Sequence, residues 1–199
     1  MRNLVFDMGN VLINYDPEWF VRRLGPLPEG DRALLLKEIF HSPDWPRLDA
    51  GEIREADLEA KAASRLPERL HAATRRLISH WEEPSEPIPG MAELIRECKA
   101  RGFRVYLLSN ASLRQREYWP SIPGSECFDG RVVSAEERCV KPDPRIYRIL
   151  LERYGLEAGE CLFVDDVPAN VEGARAVGME AFLFTGDVPA LRRALLGKQ

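Results

Sequence analysis

Lysine is scarce in this 199-residue chain: five residues, against 23 arginines. Surface cations are therefore nearly all guanidinium, and a lysine inside a motif stands out. Cysteine is sparse too, with four residues at positions 98, 127, 139 and 161, and no CxxC pair. That excludes a zinc knuckle or a thioredoxin-type redox site. Cys98 falls in a helical pattern and Cys161 opens an apolar run, so both read as small buried hydrophobes. No apolar run approaches the length of a bilayer span. Nothing at the start resembles a signal peptide, since the seventh residue is already Asp. The expectation is a reduced, cytoplasmic protein without a membrane partner. Excess positive charge is also missing. A net charge of −4 argues against a protein that coats nucleic acid or anionic lipid. What the chain does have is 45% hydrophobic and 30% charged residues, enough for a real core. Its length fits one large domain, or one domain with a modest insertion. Composition carries no signal for oligomeric state.

Short apolar runs that stop at polar residues recur along the chain. Residues 2–6 stop at Asp7, Phe103–Leu108 at Ser109-Asn110, Cys161–Val164 at Asp165-Asp166, and Ala181–Phe184 at Thr185-Gly186. Such runs read as buried parallel strands, with Arg131–Val133 a weaker fifth. Helical patterns separate them. One opens at Pro89-Gly90 and closes at Gly102; another spans Pro144 to Tyr154; a third spans Ala169 to Val177. Strand–helix alternation predicts an α/β fold with a doubly wound parallel sheet. In such sheets ligands bind at the carboxyl ends of the strands, where the polar endings fall.

Residues 15–85 hold no convincing strand. Helices are expected over Pro17–Leu24, Glu29–His41, Arg54–Leu66 and Pro67–Trp81, and prolines 84, 87 and 89 mark the exit. Because α/β connections are normally short, the chain divides into a core of residues 1–14 and 86–199 and an inserted helical cap of residues 15–85.

The chemistry-bearing residues sit at the strand ends. Asp7 alone fits a turn residue. Asp165-Asp166 says more, because adjacent carboxylates at the lip of a core repel each other and need a compensating charge. Mg²⁺, a hard cation that takes one or two carboxylates plus phosphate and water, supplies it. Asp7 can complete that site from a neighbouring strand. Ser109-Asn110 offers a hydroxyl, an amide and backbone N–H groups to a phosphate oxygen. Lys141 can balance the acids and stabilise a phosphoryl group.

The order of these pieces is specific. Phe6-Asp7-Met8-Gly9-Asn10-Val11-Leu12, Leu107-Leu108-Ser109-Asn110, Lys141-Pro142 and Phe163-Val164-Asp165-Asp166, with Asn170, Gly173 and Gly178 behind, together resemble the haloacid dehalogenase-like (HAD) hydrolase superfamily. The resemblance runs from Leu4 to Gly178 and implies a Rossmann-like core with a C1-type cap. It further implies roles. Asp7 is the nucleophile that forms an aspartyl-phosphate. Mg²⁺ binds the Asp7 carboxylate, the Gly9 carbonyl and Asp166, with Asp165 acting through a metal-bound water or behind the ligands. Ser109 and the amides near Met8, Gly9 and Asn110 hold the phosphoryl oxygens. Lys141 bridges nucleophile and transferring group, and Asn170 orients the metal-side loop.

One position departs from the pattern. Most phosphatases of the superfamily carry a second Asp two residues after the nucleophile, which protonates the leaving alcohol and then activates water. Gly9 stands there instead. General acid–base help is worth about 10²–10⁴ in rate, so three readings stay open. The first is a Mg²⁺-dependent phosphatase of small phosphorylated metabolites, with sugar phosphates foremost. Asp-x-Gly-Asn-Val is similar to the bacterial α-D-glucose 1-phosphate phosphatase subgroup, whose anomeric leaving group needs less protonation. The second is a 2-haloacid dehalogenase, whose halide leaves without a proton, though such enzymes usually lack the acidic doublet. The third is a weakly active or non-catalytic phosphate-binding regulatory module. In the cap, His41 is a candidate proton carrier. Trp45 and Gly51-Glu52 are candidates for a loop facing the site, and Arg22, Arg23, Arg47 and Arg54 for contacts to an anionic substrate.

Overall fold

The computed structural model describes residues 2–197. Its centre is a five-stranded, all-parallel sheet: β1 (Asn3–Phe6), β2 (Arg104–Ser109), β3 (Gly130–Val133), β4 (Cys161–Asp165) and β5 (Glu180–Leu183), in the order β3-β2-β1-β4-β5. The inner strands read as continuous apolar runs because both faces are covered. Side-chain alternation then sorts them. Leu4, Phe6, Val105, Leu107, Leu162 and Val164 face one core. Val5, Tyr106, Leu108, Cys161 and Phe163 face the other. Parallel pairing aligns Phe6 with Leu107 on one side and with Val164 on the other. The residues that follow these three positions therefore gather at one edge of the sheet. The register is set by burial, since a one-residue slip would turn each strand's two faces inside out.

Between β1 and β2 the chain forms α1 (Pro17–Arg22), α2 (Glu29–Leu35), α3 (Asp44–Asp49), α4 (Glu55–Arg65), α5 (His71–His80) and α6 (Met91–Ala100). After β2 come the single turns α7 (Gln115–Tyr118) and α8 (Ser134–Glu137), then α9 (Pro144–Tyr154), α10 (Pro168–Ala176) and α11 (Val188–Leu196). Among the described residues no helix is long and apolar enough to cross a membrane. The core that runs from Leu4 and Phe6 through Phe20, Ile39, Leu58 and Ile78 is continuous, so the helices of α1–α5 pack as one apolar body with one sheet face.

Two expected elements differ. The helix expected over Glu29–His41 ends at Leu35 and continues as a wider turn, Leu36–Phe40, in which the His41 N–H reaches back to the Leu36 carbonyl. The wider turn brings Ile39 and Phe40 both into the core. The other is α3, expected to be loop. It is only six residues long and carries Pro46 in its first turn, where a missing N–H breaks no intrahelical bond. The four cysteines are unpaired, and three of them are buried.

Candidate active site

β1 delivers Asp7 to the carboxyl edge of the sheet, its N–H bonded to the Val164 carbonyl of β4 at 2.9 Å. β4 ends in Asp165, and Asp166 follows. A carboxylate oxygen from each of Asp7, Asp165 and Asp166 lies within 4.8 Å of the others. The Lys141 ammonium sits between two of them, 2.7 Å from Asp7 Oδ1 and 2.7 Å from Asp165 Oδ2. It is buried, with the Phe163 ring 5.3 Å below it. Burial works against its charge, but the facing carboxylates of Asp7 and Asp165 outweigh burial and raise its pKa, so it stays protonated.

The two members of the acidic doublet do different work. Asp165 is fully buried and its oxygens are already engaged: Oδ1 accepts from the Val167 N–H and the Asn170 amide, and Oδ2 from Asn170 and Lys141. It holds the lysine. Asp166 is half-buried and accepts from the Asn10 amide at 3.1 Å, which leaves oxygen lone pairs directed at the cavity. Burial raises its pKa against that hydrogen bond. Asn10 adopts a left-handed backbone conformation, φ 52°, which Asn tolerates better than most residues. The amide oxygen of the same side chain accepts the Tyr15 N–H, so Asn10 ties Asp166 to the start of the helical segment.

Asp7 itself is raised to about 6, chiefly by burial, with the Asp165 charge adding and the Lys141 ammonium and the Met8 N–H opposing. A divalent cation placed against it would favour the ionised form. The hard-oxygen donors Asp7 and Asp166, with the Gly9 carbonyl next in sequence to Met8, suit Mg²⁺ better than a soft metal.

The remaining expected residues divide. Asn110 lines the cavity, and its side chain clamps the Lys141 backbone: Oδ1 accepts the Lys141 N–H at 2.8 Å and Nδ2 donates to the Lys141 carbonyl at 3.1 Å. Met8, Gly9 and Asn170 also line it. Ser109 closes β2 but is buried and is not among the lining residues. Gly173 lets α10 press against the segment that carries Lys141, since a side chain there would meet the Pro142 carbonyl oxygen at 2.9 Å.

Above the charged floor lies a cavity of about 370 Å³. The helical segment supplies most of its wall: Tyr15, Phe40, Trp45, Leu48, Asp49, Ile78 and Trp81, joined by Ser112 and Tyr118. Sequence reading found Trp45 there, although on a helix instead of a loop. It missed Asp49, whose carboxyl burial and the nearby Asp7 and Glu55 push up to about 7. Several expectations are corrected. His41 is exposed and off the wall. Glu52 pairs with Arg47 instead of facing the cavity. Arg22 pairs with Asp16 and Glu18, and Arg23 stacks on Trp19 and binds backbone carbonyls. Neither these two nor Arg47, which pairs with Asp44 and Glu52, line the cavity, and Arg54 is exposed and off its wall.

Comparison with known proteins agrees with this geometry. The haloacid dehalogenase-like hydrolase family model matches residues 1–178. The sesquiterpene phosphatase astK of Aspergillus oryzae is 33% identical over 196 residues, covering 92% of this chain and 90% of that protein. A phosphatase of Mycobacterium tuberculosis is 29% identical over 195 residues, covering 90% of this chain and 85% of the other. A HAD family enzyme from Bacteroides thetaiotaomicron, solved as a magnesium complex, shares the fold at a TM-score of 0.73 and 21% identity, covering 97% of this chain and 98% of that one. A sheet-edge carboxylate bridged by a buried lysine to an acidic doublet, together with a family match across most of the sequence, establishes that the chain belongs to the haloacid dehalogenase-like hydrolases.

Proposed function

We propose that this protein is a Mg²⁺-dependent phosphatase of small phosphorylated metabolites that works through an aspartyl-phosphate on Asp7. One observation carries the reading: Lys141 is held 2.7 Å from both Asp7 and Asp165, with Asp166 alongside. A buried ammonium so placed can meet a phosphoryl oxygen as the Asp7 carboxylate attacks phosphorus. Asp165 and Asn170 keep the ammonium aimed, and Asn110 fixes the backbone from which it projects. Backbone N–H groups of Met8, Gly9 and Asn110 are assigned to the phosphoryl oxygens, whereas Ser109, buried and off the cavity wall, is withdrawn from that set. Asp7, Asp166 and the Gly9 carbonyl are assigned to Mg²⁺, which when bound neutralises phosphoryl charge. Residues 15–85 serve as a cap that excludes water and selects the leaving group.

Sugar phosphates are the first substrate class to assay, because Trp45 and Trp81 place indole rings in the cavity wall, where a sugar ring can pack. A second class is favoured by the same wall. Phe40, Leu48 and Ile78 supply apolar surface and few hydrogen-bond partners for hydroxyls. Phosphate esters of apolar alcohols, the kind of substrate named for the Aspergillus relative, fit it.

The test is phosphate release from a panel of sugar phosphates, prenyl phosphates and p-nitrophenyl phosphate, with Mg²⁺ and with EDTA, beside halide release from 2-chloropropionate. Metal-dependent phosphate release that Asp7→Asn abolishes is expected. Halide release without metal would install the dehalogenase reading. Tight phosphate binding with no turnover would install the regulatory module.

A further inference from the structure

An unactivated phosphate ester leaves as an alkoxide unless something protonates it, and water needs a base to displace the phosphoryl group from Asp7. Gly9 has no side chain to do either. The groups at the cavity floor are committed: Asp7 attacks, Asp166 faces the cation site, and Lys141 is tied to two carboxylates. Tyr15 and Tyr118 line the wall, but burial drives both phenols far above neutrality as proton sources for a reversible exchange.

We propose that Asp49 is the catalytic general acid and base of this enzyme, delivered to the leaving oxygen from the end of α3. This rests on the aspartyl-phosphate reading above. Asp49 lines the cavity together with Asp7, Asn110 and Lys141. Its carboxyl accepts no hydrogen bond from any described side chain or backbone group that lowers its proton affinity, and the groups acting on it are burial and the charges of Asp7 and Glu55. It is thus a carboxyl aimed into a cavity and left without a partner. Its backbone, by contrast, is anchored to the sheet. The Ser134 hydroxyl donates to the Asp49 carbonyl at 2.5 Å and accepts the Ala111 N–H at 2.9 Å, one residue past Asn110. Two residues on, Gly51 turns the chain at φ 69° so close to Ala135 that a Cβ would collide with its backbone. The next helix is tied down by the Ser112 hydroxyl, which donates to Glu55 at 2.7 Å. The end of α3 and the start of α4, held to the core at three points, therefore present one free carboxyl to the cavity that Asp7 also lines.

The titratable groups facing Asp49 are Asp7 from β1, Glu55 from α4, Tyr15 ahead of α1 and Tyr118 from α7. The acids favour its protonated form, and near neutrality it can both give and take a proton. In the first step an Asp7 oxygen bonds to phosphorus, the ester P–O bond breaks, and the leaving oxygen takes the Asp49 proton. In the second, the Asp49 carboxylate takes a proton from water as the water oxygen bonds to phosphorus. The P–O bond to Asp7 then breaks, releasing inorganic phosphate and restoring both residues.

Rapid-quench kinetics of Asp49→Asn test this with two esters: p-nitrophenyl phosphate, which needs no proton on leaving, and whichever alkyl or sugar phosphate the native enzyme hydrolyses. The variant should keep its first-turnover burst of p-nitrophenolate within about threefold and then stall as phosphoenzyme. With the alkyl ester its first turnover should fall by about 10²–10⁴. The limb of the native pH profile near neutrality should vanish, and Asp49→Glu should restore part of the rate. Equal slowing of both first turnovers, or an unchanged pH limb, overturns the assignment. Those outcomes differ from failure of the underlying reading, in which the native enzyme itself forms no phosphoenzyme. A single cooperative thermal transition, at a temperature no lower than that of the native protein, shows that the variant folds. If it does not fold, Gly9→Asp combined with Asp49→Gln supplies the second arm. A Cβ added at Gly9 meets only Tyr15, at ordinary contact distance, and the proposal expects the added carboxyl to make Asp49→Gln active again on the alkyl ester. No recovery overturns it.

Discussion

Replacing Lys141 by Met removes the cation from a site where Asp7 and Asp165 both lie 2.7 Å away and all three side chains are nearly or fully buried. Methionine keeps an unbranched apolar stem and omits the terminal ammonium over Phe163, so the main effect is electrostatic. Removing one partner of a buried ion pair costs about 3–5 kcal/mol, because the remaining charge stays desolvated. For a chain of this size that lowers the melting temperature by roughly 6–20 °C. The pH dependence has a definite sign. Asp7 is already raised from 3.8 to about 6 with the lysine opposing the rise, so without it the folded form holds the proton more tightly still. A group whose folded pKa lies above its unfolded value binds more protons when native, and stability falls as pH rises through that interval. The deficit of the variant is therefore largest at pH 8 and shrinks toward pH 5, and saturating Mg²⁺ recovers part of it by returning positive charge. Calorimetric melts of both proteins at pH 5 and pH 8, in EDTA and in Mg²⁺, measure this. A shift below about 2 °C at pH 8, or a deficit that ignores pH, would refute the claim that Lys141 neutralises the acid cluster.

Asp7→Asn should stabilise the metal-free protein at pH 8 by about 3 kcal/mol, since it removes a carboxylate whose folded pKa is about two units high; the gain should vanish at pH 4 in thermal melts. Gly51→Ala places a side chain at φ 69° against the Ala135 carbonyl, so it should lower stability by at least about 1–2 kcal/mol and reduce kcat more than KM by shifting Asp49. Unchanged melts and kinetics for that variant would show that the α3 turn is free to move.

The sheet was legible because its inner strands are covered on both faces, so burial wrote continuous apolar runs ending at polar residues. Asp7 and the Asp165-Asp166 doublet could be found for the same reason: each follows such a run at the edge where ligands bind, whereas Lys141 stood out because lysine is scarce and because Lys141-Pro142 falls in the family's motif order. Their division of labour could not. That Asp165 is saturated by Lys141, Asn170 and Val167 while Asp166 faces the cavity depends on hydrogen bonds between distant segments. Asp49 was invisible for a different reason. It lies in a six-residue helix punctuated by prolines, too short to show a period, and its partners Ser134 and Ala135 are more than eighty residues away. The only local hint was an acid two residues before a glycine. His41 and the arginines of the helical segment attracted notice by residue type, but orientation decides such cases, and Arg22, Arg23 and Arg47 turn to nearby acids, carbonyls and an indole ring.

Acid quenching during turnover, followed by peptide mass spectrometry, tests the central claim most directly. The account predicts one added phosphoryl group on the peptide containing Asp7, present with substrate and Mg²⁺ and lost in EDTA. Steady phosphate release with no phosphoryl group on that peptide at any quench time would contradict it.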